Sequence, residues 1–239
     1  MRFSPILVTA IFCSFLAAAA SAADLTVPGQ ANIFGAGHAV PPAPGGELGG
    51  VLPPSYSFAA GAGQVLTFSS VTGTVTCCSS DLITYGTGPD GGPWATGTTD
   101  ITSYGGVSGI VHGSRTMFLV GVFLTEAEPT DPAPARLDFS AGAYGDGFSA
   151  IAPAIGQTFF VGDGMTGTGT GLTQQFMVPS NATRLYLGFA DAADFGAPSS
   201  APGYYGDNAG QLMALLDVTT PQPTASRNGT WGRLKTIYR

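Results

Sequence analysis

Lysine is all but missing from this sequence: Lys235 is the only one in 239 residues. Everything before it therefore lacks the lysine of a phosphate-binding loop and the amine of a Schiff base. Histidine is nearly as scarce. His38 and His112 stand alone, with no H-E-x-x-H and no paired Cys/His spacing, so a zinc centre is not expected. Charge of either sign is thin at 10% of residues, and the acidic side wins by 15 to 8, for a formal net charge of -7. Nucleic acid and anionic lipid are poor partners for such a chain, and cations are better ones.

Cysteine is also rare. Of three, Cys13 lies in the N-terminal apolar run and Cys77 and Cys78 are neighbours, which is no basis for a disulfide scaffold. Adjacent Cα atoms lie about 3.8 Å apart, below the roughly 4.4–6.8 Å that disulfides prefer. In a strand the two side chains would also point to opposite faces. The leading expectation is free thiols with one buried; a strained vicinal bridge and a bond to a second chain are the alternatives.

Long apolar runs are confined to the start. MRFSPILVTAIFCSFLAAAASAAD has one arginine, a short apolar stretch and small residues ending at Ser21-Ala22-Ala23, the pattern of a secretory signal over residues 1–23. Cleavage near Asp24 leaves about 216 residues and, with Arg2 gone, a charge of about -8. After the signal no stretch reaches the roughly 18 apolar residues of a membrane helix. The expected location is secreted, extracellular or in the cell envelope.

What the chain has in quantity is Gly (36), Pro (18) and Phe (15), the composition of short strands joined by many turns. Residues 24–62, with VPPAPGGELGGVLPP, read as an extended lead-in packed on or joined to a sandwich. Residues 63–220 read as an all-β domain, an antiparallel β-sandwich or jelly roll. Its strand signals are GQVLTFSS, VTGTVTCC with a bend or bulge at Gly73, GQTFFVGDG, TQQFMVP, TRLYLGFAD and QLMALLDV. RTMFLVGVFL is apolar enough for a central strand buried on both faces. No helix is expected beyond the signal. Residues 221–239 hold four of the eight basic residues and read as a solvated tail, or alternatively as a surface-binding basic peptide.

Catalytic signals are weak. GGVSG around Ser108 is one glycine short of a nucleophile elbow, and His112 reads as a strand-edge histidine, so no catalytic residue is assigned. The informative stretch is LGFADAADFGAPSSAPGYYGDNAGQL, Leu187 to Leu212, where a chain poor in charge places Asp191, Asp194 and Asp207 beside Asn208. Calcium takes about six to eight oxygens from carboxylates, amides and backbone carbonyls. Asp207-Asn208 between Gly206 and Gly210, with Asp191 at the end of the preceding strand, supplies that chemistry. The other reading is an ordinary acidic loop.

Two resemblances add to this. GQTFFVGDGMTGTG, QQFMVPSNATRLYLGFADA and PGYYGDNAGQL, with the early VPGQANIFGAGH and GQVLTFSS, resemble a family of exported bacterial proteins that often carry a PEP-CTERM sorting tail. Pro221-Gln222-Pro223 departs from that tail, and no apolar helix comes after it. More narrowly, a strand ending in Asp, then Tyr-Gly-Asp-Asn and a last strand, is similar to bacterial calcium-dependent galactophilic lectins of the PA-IL type. That resemblance implies a galactose-binding-domain-like sandwich, with Ca2+ held by the side chains of Asp191, Asp207 and Asn208, by the carbonyl of Tyr204, and by a carbonyl near Thr76 and Cys77. It also implies a saccharide bound at the ion by Asp191, Tyr204 and Asp207. Asp90, in the Gly88-Pro89-Asp90-Gly91 loop, joins the expected sugar contacts, although the family's His and Gln after that loop have no equivalents here. The expected function is a non-catalytic, calcium-binding, lectin-like protein; the alternative is a structural envelope or extracellular-matrix protein without sugar binding.

Overall fold

The computed structural model describes residues 21–93, 97–167, 169, 171–196 and 199–220; the greater part of the signal and the basic tail lie outside the described residues. Among the described residues, twelve strands form three sheets. The first has the order β1 (Ser21–Pro28), β12 (Ala209–Thr219), β3 (Val65–Thr76), β10 (Gln175–Met177) and β8 (Ala150–Ile151). The second runs β2 (Ser55–Ser57), β11 (Arg184–Gly188), β6 (Val120–Leu124) and β9 (Thr158–Phe160). A small third sheet joins β4 (Thr99–Ile101), β5 (Ile110–His112) and β7 (Leu137–Asp138). Pairing is antiparallel except for β10 with β8 and β5 with β7. The protein is an all-β sandwich.

The two large sheets meet through phenylalanine. Phe68 and Phe176 of the first sheet face Phe159 and Phe123 of the second, with the Phe159 and Phe176 ring centroids 5.1 Å apart. All four rings are buried, at the separations aromatic pairs prefer. β6 is buried along its whole length between β11 and β9, as its continuous apolar run requires.

β3 and β12 form the longest ladder, from Val65↔Thr219 to Thr76↔Ala209. The irregularity anticipated at Gly73 is instead opposite Leu215 and Leu216, where Ser69 is left without a register partner. Gly73 stays in the ladder, at φ +119°, and a Cβ there would stand 2.3 Å from Gln211 O.

The lead-in supplies an edge strand to each large sheet, β1 beside β12 and β2 beside β11, and its Pro/Gly turn is organised by a buried polar residue. Asn32 caps the short 3-10 helix Ile33–Gly35: its Oδ1 accepts from Phe34 N at 3.0 Å, and its Nδ2 donates to Pro42 O (2.7 Å) and Gly49 O (3.0 Å). That one side chain ties the Pro/Gly segment to itself and turns Ile33 and Phe34 into the core. The β1 ladder reaches back to Ser21, three residues ahead of the expected cleavage point, and keeps its register from Asp24↔Leu215 to Pro28↔Gln211.

Two local expectations need correction. A single helical turn, α1 (Leu82–Tyr85), is present, capped by Asp81, whose Oδ1 accepts from Ile83 N and Thr84 N at 3.1 Å each. Cys77 and Cys78 are joined as a vicinal disulfide in the turn after β3 rather than standing as free thiols. This turn leaves the strand at Thr76, so the two side chains are no longer held on opposite faces of a sheet.

Candidate functional site

The site lies where β11 ends and β12 begins. After Gly188, Phe189 bonds back to Ala31 (N to O, 2.8 Å), and Asp191 comes just beyond the strand. The chain then loops out and returns, with Gly203 N donating to Asp191 O at 3.0 Å. The second 3-10 helix, Tyr205–Asp207, comes next, and Asn208 leads directly into β12. Sequence order thus separates Asp191 from Asn208 by a long loop, and the backbone bond from Gly203 and the hydroxyl of Tyr205 bring them together.

Tyr205 is the pillar under this arrangement. Its side chain is completely buried; its hydroxyl donates to Phe189 O at 3.0 Å and accepts from Asp191 N at 3.1 Å. The neighbouring Gln30 and Asn208 side chains lock the turn to β1: Gln30 Nε2 donates to Gly206 O (3.0 Å) and Asn208 Nδ2 to Gly29 O (3.1 Å). Nothing in the YY pair says which tyrosine goes inside. Tyr204 stays half-buried with a left-handed backbone, φ +68°, and as the cap of the 3-10 helix its carbonyl begins that turn.

Two oxygens at the centre lack hydrogen-bond donors. Asp191 is 1% exposed and Asn208 4% exposed, yet Asp191 Oδ2 and Asn208 Oδ1 accept from nothing. Asp191 Oδ1 accepts from Ala192 N at 2.7 Å, and the Asn208 side chain lies beside the carboxylate. Burial drives the Asp191 carboxyl well above the usual carboxylate range; the adjacent Asn208 side chain and the Ala192 N–H offset part of this, and the nearby Asp207 charge adds to it. Burial and the Asp191 charge likewise raise the Tyr205 hydroxyl. Buried oxygens normally find a donor. Two adjacent ones without any are a cost that a cation would remove.

Of the residues expected from sequence, Asp191, Asp207 and Asn208 come together, with Asp207 on the exposed side. Tyr204 adjoins them through the 3-10 turn. Thr76, the last residue of β3, pairs with Ala209, one position from Asn208, and its hydroxyl is turned to Ser79 O. Asp194 turns into its own loop instead, accepting from Gly196 N at 3.1 Å. No group of three or more His, Cys, Asp or Glu side chains in a metal-holding arrangement occurs among the described residues. The oxygens here are of mixed kind: one buried carboxylate, one exposed carboxylate, a carboxamide and backbone carbonyls. That set suits a hard cation such as Ca2+, and the two orphaned oxygens are what fits it.

Asp90 belongs to another cluster. Its Oδ1 accepts from Asp163 N (2.9 Å) and its carbonyl from Arg115 Nη1 (3.3 Å). Arg115 Nε pairs with Asp146 (2.8 Å), whose other oxygen takes His112 Nε2 (2.7 Å). Burial raises Asp90 and lowers His112. Ser108 is engaged elsewhere, accepting from Thr158 N at 2.8 Å, so it and His112 have separate structural partners.

Comparison of the chain with known protein families, with curated proteins and with solved structures finds no match.

Proposed function

We propose that this chain is an exported, non-catalytic, calcium-binding β-sandwich that recognises a saccharide through the bound ion. The observation that carries the reading is the pair of buried, unpartnered oxygens, Asp191 Oδ2 and Asn208 Oδ1. Asp191, Asp207 and Asn208 would hold the ion with their side chains, and Tyr204 and the Thr76 region would add carbonyls. The ion supplies charge neutralisation and, on its Asp207 side, coordination positions for vicinal hydroxyls. Export and the lectin-like role rest on the sequence resemblances, with the acidic balance of the chain as support. The location this implies is extracellular or in the envelope.

Calcium titration by calorimetry on the wild type and on Asp191→Asn tests the reading. A single saturable site that Asp191→Asn removes is the expected result; no heat of binding in the wild type up to several millimolar refutes it. A second reading, a structural envelope or matrix protein whose ion only orders the loop, is favoured by the depth of Asp191 and Asn208. Calcium binding with no saccharide affinity would select it.

A further inference from the structure

Charge is unevenly divided along the chain. Residues 24–220 hold all 15 acidic residues and three basic ones, Arg115, Arg136 and Arg184, which are committed to Asp146, Asp100 and the carbonyl of Thr125. Residues 221–239, outside the described residues, hold four basic residues (Arg227, Arg233, Lys235 and Arg239), no acidic one, and Trp231 among them. A basic segment is thus carried on an acidic body whose own guanidinium groups are already taken.

The loop after β6 offers that segment a surface. Glu126, Glu128 and Asp131 stand close together in it, all exposed. Two cavities adjoin there and share Glu128: one of about 280 Å³, lined in part by Leu124, Pro129 and Pro132, and one of about 470 Å³ with His38, Val40, Tyr104 and Asp131 in its wall. The loop is held in shape. Arg184 donates from Nε to Thr125 O (2.9 Å) and from Nη2 to Ala127 O (3.1 Å), Gly106 N donates to Asp131 Oδ1 (3.0 Å), and the His38 ring lies between Glu128 Oε1 and Gly105 O at 2.9 Å from each. Glu126 and the second carboxylate oxygens of Glu128 and Asp131 have no hydrogen-bond partner among the described residues. Tyr104 and Val40, both exposed, add an aromatic ring and an apolar side chain to the same cavity. A guanidinium and an indole are groups that such a lining suits.

The segment also leaves the sandwich at this end. β12 stops at Thr219, paired with Val65, the first residue of β3. Next to it Val178 N donates to Gln64 O (3.0 Å), and Thr183 N donates to Leu124 O (2.9 Å), where β6 gives way to the acidic loop. From Val178 to Thr183 the chain spans at most about 18 Å, whereas Arg227 reaches up to about 26–29 Å from Thr219 and the later cations reach farther.

We propose that residues 221–239 dock on this surface within the same chain, their basic side chains on Glu126, Glu128 and Asp131 and Trp231 against Tyr104 and Val40. Exposed charge pairs are individually weak. Tethering offsets that weakness, because one chain supplies an effective concentration on the order of millimolar. The docking does not depend on the cation site.

The test uses the chain through Arg239. Amide NMR spectra of the wild type are compared with those of a variant carrying Arg227→Gln, Arg233→Gln, Lys235→Gln and Arg239→Gln, which leaves the sandwich untouched. The expected result is that shifts within the sandwich are confined to the surface around Gly105, Gly106, Ala127 and Thr130. No shift there, or shifts centred on another acidic site such as Asp81, Asp194 or Asp207, overturns the proposal. Trypsin cleavage after Arg227, Arg233 and Lys235 is then timed in the wild type and in a variant carrying Glu126→Gln, Glu128→Gln and Asp131→Asn, which keeps the acceptor oxygens that His38 and Gly106 use. Cleavage should be about tenfold faster in the variant at about 0.01 M salt and equal in the two at about 1 M, where the Debye length is about 3 Å. Equal rates at low salt overturn the docking. Protection that rises with protein concentration, together with a doubled mass in sedimentation, overturns docking within one chain in favour of a second copy.

Discussion

If the orphaned oxygens of Asp191 and Asn208 are a cation cradle, removing the charge of Asp191 should uncouple stability from calcium. With the ion at 100 times its dissociation constant, binding adds about 2.7 kcal/mol, about 5–10 °C in Tm at about 2–4 °C per kcal/mol for a domain of this size. The effect is pH-dependent. Because burial raises the folded-state pKa of Asp191 above its unfolded value, the folded chain holds a proton that the unfolded chain has released. Stability without calcium therefore falls as pH climbs from about 4 through that raised value. Calcium replaces the proton, so its stabilising shift grows over the same range. Asp191→Asn keeps the shape, removes the charge, and offers an N–H beside the unpartnered Asn208 oxygen. In EDTA at pH 8 it should match or exceed the wild type, by about 1–3 kcal/mol if the cost of the unsatisfied groups is fully recovered. It should show no response to calcium. Differential scanning fluorimetry at pH 5 and pH 8, with EDTA or 5 mM calcium as about the working excess, reads all of this. A wild type indifferent to calcium at both pH values, or a calcium shift that survives Asp191→Asn, refutes the reasoning.

Tyr205→Phe removes the donor to Phe189 O and the acceptor for Asp191 N, and should cost about 1–3 kcal/mol in urea unfolding, with weakened calcium affinity because Asp191 loses its anchor. Phe176→Ala empties the space between Phe68, Phe159 and Phe148 and should cost about 3–5 kcal/mol with an unchanged m-value. His112 is held below its ordinary pKa by burial, so its contribution is present above about pH 6.5 and lost as pH falls from there toward the lowered folded value. In an Asp191→Asn background the urea midpoint should drop between pH 7 and pH 5, and adding His112→Gln should flatten that slope.

Much of the sandwich was legible because strands announce themselves by pattern. The β12 segment alternates, the β6 segment is apolar throughout, and both lie where those patterns place them. The N-terminal part was less legible for a physical reason. Ile33 and Phe34 are buried by a turn and a 3-10 helix, which have no long period to detect, and the cause is the buried side chain of Asn32 bonding to Pro42 and Gly49. Such long-range partners leave no local signal. The offset at Ser69 is similar, since a bulge depends on the register of two strands rather than on one sequence.

The candidate site divides the same way. Asp191, Asp207 and Asn208 stood out because carboxylates are scarce in this chain, and the ends of β11 and β12 bring them together. Asp90 stood out for its Gly-Pro-Asp-Gly turn, which sequence reads correctly as a turn; Gly91 N donates to Gly88 O at 2.9 Å. What the turn cannot encode is its neighbour, and Asp90 Oδ1 is taken by the backbone of Asp163. Its oxygen already has a donor, whereas Asp191 Oδ2 has none. That difference separates the two carboxylates: Asp90 Oδ1 accepts from a backbone N–H, its carbonyl accepts from Arg115, and Arg115 in turn pairs with Asp146. At Asp191 the folding of Tyr205 and Asn208 against β1 removes water without supplying a donor, and a hard cation is the group whose charge and coordination would make up both deficits.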